Sequence, residues 1–185
     1  MKCEIGVEEL AARGSVIVDM LRPLVGKVRP AFERQTESRT QVYLAVHTGP
    51  RPVVERRDWR FSTLSPKVNG AYLERWLPVD ERGNRYFLNR SYLHLYWKLE
   101  SENAEEEIVG LHCDPNEPDD SDSRRHARYK RGPHVHLTTR RAGFSHSHIA
   151  LNLMDLDTVL DNIDNLTDAM KSGIQMLRDQ VLDLL

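Results

Sequence analysis

Cysteine is scarce in this chain: Cys3 and Cys113 are the only two in 185 residues. One near the terminus and one deep in the sequence make no disulfide framework, and a four-cysteine zinc site is excluded by count. Long apolar runs are missing as well, so no stretch is long enough to span a membrane. The opening Met1-Lys2-Cys3-Glu4 lacks the apolar centre of a signal peptide. These absences point to a reducing cytoplasm and to no membrane partner. Excess charge is also lacking: the formal net charge is only −2, which argues against a bulk polyanion binder. What is present, 39% hydrophobic and 29% charged residues, is the balance of a globular protein rather than a disordered one. The length suits one domain over residues 1–185.

The charge is distributed unevenly. Between Arg124 and Arg141 there are seven Lys and Arg residues and no acidic one. This basic stripe lies between the acidic stretch Asp114–Asp122 and an acidic C-terminal segment.

Hydrophobic spacing predicts an amphipathic helix over 7–25, carried by Val7, Leu10, Ile17, Met20, Leu21 and Leu24. Residues 29–40 read as a polar connection. Gln41–Thr48 is rich in strand formers, and Asp58–Leu64 alternates as a half-buried strand does. The stretch 66–84 reads as loop, with turn signals at Asn69-Gly70 and Asp80–Asn84. A hairpin follows: Tyr92–Leu99, a turn, then Glu107–Cys113. His134–Thr138 and His146–Leu151 look like two short strands. From Leu156 to Leu185 a heptad-like row of Leu156, Ile163, Met170, Leu177 and Leu184 predicts a long helix, capped by Asp155 or Asp157. At 1.5 Å per residue such a helix is about 45 Å long. Five-residue strands span roughly 17–20 Å. Residues 174–185 are therefore expected to project as an extension that docks on a partner protein or a second copy, the alternative being that they fold back on the N-terminal helix through Leu10, Ile17 and Leu21. The fold class expected is α+β: an antiparallel sheet with an N-terminal helix and a long C-terminal helix on one face.

Six of the eight histidines lie between His112 and His148. Side chains two apart on a strand share a face, so His134 with His136, and His146 with His148, could converge if the two strands pair. His112 and Asp114 lie at the end of the neighbouring strand. Three readings fit this pattern. Imidazoles with a carboxylate bind a divalent metal such as zinc, here through His112, Asp114, His134 and His136. Without metal, His134, His136, His146 and His148 can act as acid and base in phosphodiester cleavage, with Arg128, Lys130 and Arg131 holding phosphate. Alternatively, the face is simply solvated. Cys113 reads as a buried structural cysteine, and Trp59, Trp76 and Trp97 as core.

The strand Tyr92-Leu-His-Leu-Tyr96, the return strand ending in Leu111-His-Cys-Asp-Pro-Asn116, the segment Pro133-His-Val-His136 and the helical Leu156–Ile163 together resemble the TumE-type proteins of bacterial toxin–antitoxin pairs. His112-Cys113 stands where that family has Arg-Tyr, and the first 90 residues have no counterpart in its short members. The resemblance implies a toxin–antitoxin or defence setting, RNA or another nucleic acid as the binding target, a ribonuclease as the candidate activity, and an antitoxin as the candidate protein partner. The other function class consistent with the sequence is a non-catalytic subunit docking through its C-terminal helix.

Overall fold

The computed structural model describes residues 3–25, 31–37, 41–47, 59–99, 104–116, 129–137 and 147–185. Nine strands among them form one antiparallel sheet: β1 (Glu4–Gly6), β2 (Ala31–Glu37), β3 (Gln41–His47), β4 (Phe61–Ser62), β5 (Val68–Pro78), β6 (Arg85–Lys98), β7 (Glu105–Cys113), β8 (His134–Leu137) and β9 (Ser147–Ala150). Their order is β2-β3-β5-β6-β7-β8-β9, with β1 beside β6 and β4 beside β5. Helix α1 (Val7–Leu21), the short α2 (Leu156–Val159) and α3 (Ile163–Gln180) complete the α+β fold.

Both long helices pack on one face of the sheet. The apolar stripe of α1 (Leu10, Ile17, Met20) and that of α3 (Leu166, Met170, Ile174, Leu177) close over Val42, Leu44, Trp76, Leu93, Leu95 and Leu111. These strand residues alternate with others that point to the opposite face, as the two-residue strand period requires. The apolar stripes of α1 and α3 face away from that second face. It carries a small apolar cluster of Tyr43, Ala45, Trp59 and Leu73, and beside it the histidines.

A buried ion pair ties the helices to the sheet. Glu74, wholly enclosed, takes hydrogen bonds from Arg13 Nε (3.1 Å) and Nη2 (2.8 Å), Tyr72 Oη (2.7 Å) and Trp76 Nε1 (3.0 Å). Arg13 on α1 also donates to Thr167 Oγ1 on α3 at 2.8 Å. A buried charge is tolerated only when paired and hydrogen-bonded in this way.

Five expectations need correction. Residues 66–84 are not mainly loop, since β5 runs through Val68–Pro78 with strictly alternating burial as far as Trp76. Asn69-Gly70 is not a turn: a Cβ on Gly70 would stand 2.2 Å from the Phe61 ring, so the glycine serves the close approach of β4. Residues 31–37, expected to connect, pair along the whole of β3. The C-terminal helix is not continuous. It breaks after Val159 and restarts at Ile163, with Asn162 as the cap whose side chain accepts from Asn165 N at 2.9 Å. The 18-residue α3 is therefore about 27 Å long, while the 14-residue β6 beneath spans about 46 Å. The sheet is longer than the helix, so the expected projecting row is covered. Ile174 and Leu177 are buried and Val181 packs on the same core, leaving only Leu184 of that row exposed. No helix among the described residues is long and apolar enough to cross a membrane.

Candidate active site on the open face of the sheet

Register brings the histidines together. The strands β8 and β9 are antiparallel neighbours with His136 opposite His148. His134 stands opposite His112 on β7, and His136 opposite Gly110. His112 in turn faces Tyr92 on β6, and Gly110 faces His94. Five imidazoles from four adjacent strands thus share one face. Ring centroids are 5.1 Å apart for His136–His148, 5.2 Å for His134–His148, 4.7 Å for His112–His136, 5.7 Å for His112–His134 and 4.7 Å for His94–His112. The expected convergence of the two His-x-His segments holds for His134, His136 and His148. His146 lies outside the described residues, as do Arg128 and the acidic residues Glu117–Asp122.

Two members of the group were not expected from the sequence. His94 hydrogen-bonds through Nδ1 to Glu107 Oε2 at 3.0 Å, and its Nε2 lies 3.1 Å from His112 Nε2. The other oxygen of Glu107 is 3.8 Å from His136 Nδ1. His94 sits between Tyr92 and Tyr96 at the two-residue period, and the hairpin pairs Tyr96 with Glu107. That periodicity was a usable signal; the bulge between Leu95 and Tyr96, which sets Glu107 on this face, was not.

Electrostatics keep the centre of the face neutral. The hydrogen bond from His94 holds the Glu107 carboxyl below its ordinary range. Burial, reinforced by the surrounding imidazoles, pushes protonation of His112 down to about 2. Burial likewise pushes His134 down to about 4, with His136 and Lys130 adding to it and the Gly132 carbonyl opposing it. His134, fully enclosed, directs Nδ1 at that carbonyl at 3.0 Å. A carbonyl only accepts, so Nδ1 carries the proton and Nε2 is a bare lone pair. That Nε2 is buried without a hydrogen-bond partner among the described residues.

The backbone of Lys130 and Arg131 is tied to the end of β7. The carbonyl of Lys130 accepts from Asp114 N at 2.9 Å, and the carbonyl of Arg131 accepts from the Cys113 thiol at 3.0 Å. Both side chains are half-buried, and neighbouring Tyr129 is exposed. Cys113 is wholly buried and its thiol is pushed up by burial, consistent with a structural role.

Asp114 follows the last residue of β7. It accepts from Tyr92 Oη at 2.7 Å and faces Arg90 Nε at 4.0 Å. Among the described residues no group of three or more His, Cys, Asp or Glu side chains is arranged to hold a metal ion. His112 stacks on His136 at an interplanar angle of 18° and on Tyr92 at 27°, whereas the other imidazole pairs are tilted or edge-on.

No protein-family model, curated protein or solved structure matches the chain.

Proposed function

We propose that the histidine face is a metal-free acid/base site that acts on the phosphodiester backbone of RNA. The observation that carries this reading is the cluster of five imidazoles on one face, joined to Glu107 through His94, with Lys130 near His134. Neutral imidazole is the side chain best suited to take and give protons near neutral pH. His112, His136 and His148 are partly exposed and can reach a bound strand, whereas His134 stands behind them.

In the reaction, one imidazole takes the proton of a ribose 2′-hydroxyl as its oxygen attacks phosphorus. A second, protonated imidazole gives its proton to the departing 5′-oxygen as the P–O5′ bond breaks. The products are a 2′,3′-cyclic phosphate and a 5′-hydroxyl. Lys130 and Arg131 offset the charge that builds on phosphorus. Exposed Tyr129 offers a ring on which a base can stack. The resemblance of Tyr92–Ile163 to TumE-type proteins supports a toxin–antitoxin or defence setting, with an antitoxin as the protein partner.

The test is to incubate the full chain with a single-stranded RNA and with its 2′-deoxy counterpart, both in the presence of a chelator. Cleavage of the RNA alone, leaving cyclic phosphate ends, is expected. Equal cleavage of both strands, or of neither, would overturn the reading.

A further inference from the structure

The polar partners of His94 and His112 dictate where their protons lie. An ionised carboxylate can only accept, so the 3.0 Å contact with Glu107 places a proton on His94 Nδ1. Between the two Nε2 atoms, 3.1 Å apart, a hydrogen bond needs one proton. While His94 is neutral, that proton belongs to His112. The Nε2–Cδ2 edge of His112 lies over Gly110, at 2.7 and 3.1 Å from where a Cβ there would stand. The opposite edge, with the bare Nδ1, is therefore turned away from Gly110. Tyr92 and His136, stacked on the ring from the two flanking strands, fix its plane.

We propose that Glu107, His94 and His112 form a proton relay in which a proton arriving at His112 Nδ1 is passed on to His94, where the charge rests against the Glu107 carboxylate. The His112 Nε2–H bond breaks as the His94 Nε2–H bond forms, and no other species takes part. The relay depends on the ribonuclease reading only for the source of the proton. His112 is unsuited to keep the charge, because it is enclosed among other imidazoles that disfavour its cation. His94 has the anion at hydrogen-bond distance. Among the described residues, the other titratable and charged groups around the pair are Tyr92 and Tyr96 on β6, Glu105 on β7, Arg60 over the Tyr96 ring at 4.3 Å, His134 and His136 on β8, His148 on β9, and Lys130 beside His134. Glu107 and His94 are thus positioning residues that act through His112.

Nitrogen-15 spectra of the histidines in the intact chain test this without any substrate. At neutral pH, His112 should carry its proton on Nε2 and His94 on Nδ1. On acidification His112 should stay neutral well below the ordinary histidine range. Glu107→Gln keeps an acceptor but loses the charge, so the His94 Nδ1–H resonance should move upfield as its hydrogen bond weakens. A His112 proton on Nδ1, both Nε2 atoms bare as in a pair of metal ligands, or a His112 that protonates in the ordinary histidine range would each overturn the relay. If the variant fails to fold, the wild-type tautomers alone decide. An intact RNA with the expected tautomers would sink the ribonuclease reading and leave the relay standing.

Discussion

A Cβ placed on Gly110 would stand 2.7 Å from Nε2 of His112, two residues along the same strand face. The missing side chain is what lets the imidazole lie down toward His94. Gly110→Ala should therefore lift the His112 ring and break the 3.1 Å contact between the two Nε2 atoms. The expected result is a loss of RNA cleavage on the order of tenfold or more, with little change in circular dichroism. Cleavage assays alongside the histidine spectra check it. Unchanged rates and unchanged His112 resonances would count against a constrained ring.

The enclosed Arg13–Glu74 pair should be the costliest polar feature to break. Glu74→Ala leaves a buried guanidinium without its anion and should cost about 3–5 kcal/mol. Thr167→Val removes the hydroxyl that accepts from Arg13 Nη1 and donates to the Ile163 carbonyl, and should cost about 1–3 kcal/mol. Urea unfolding at neutral pH measures both, and a smaller loss for Glu74→Ala than for Thr167→Val would contradict this ordering.

Stability should fall on mild acidification. His112 and His134 protonate near the ordinary histidine value, about 6.5, when unfolded, but only near 2 and 4 when folded. Below about 6.5 the unfolded chain binds protons that the folded chain refuses, so stability present above that pH is lost as pH falls toward 4. Each of the two contributes up to about 1.4 kcal/mol per pH unit within its window. Urea midpoints at pH 7 and pH 5 test this. The His112→Gln variant should show a shallower decline than the wild type. A flat wild-type profile would mean that these rings can charge in place.

Binding to RNA should weaken steeply with salt, since each phosphate neutralised by Lys or Arg releases counterions. Replacing Lys130 and Arg131 with Ala should weaken binding to all sequences alike and flatten the salt dependence. Filter binding at two salt concentrations is sufficient. An unchanged slope would remove these two residues from the phosphate contacts.

Much of this arrangement is legible in the sequence. The two-residue spacing of His134/His136 and the register of a short strand pair suffice to bring His136 opposite His148. Helix α1 and the apolar stripe of α3 follow from spacings of three and four. The misses have physical causes. Asn69-Gly70 mimics a turn because a glycine that makes room for Phe61 looks the same in sequence as one that makes a bend. Glu74 disguised β5 as polar, since its four hydrogen-bond donors come from residues as distant as Arg13. Glu107 entered the site through a bulge, which shifts the register in a way periodicity alone does not reveal.

The measurement closest to the central claim is the RNA cleavage rate of the chain carrying His136→Gln and His148→Gln, compared with wild type under identical conditions. Both side chains are partly exposed, so the fold should survive their exchange. The account predicts cyclic phosphate ends from the wild type and a rate lower by about 10²-fold or more in the double variant, the usual scale of acid/base catalysis. Undiminished cleavage by a folded double variant would contradict it.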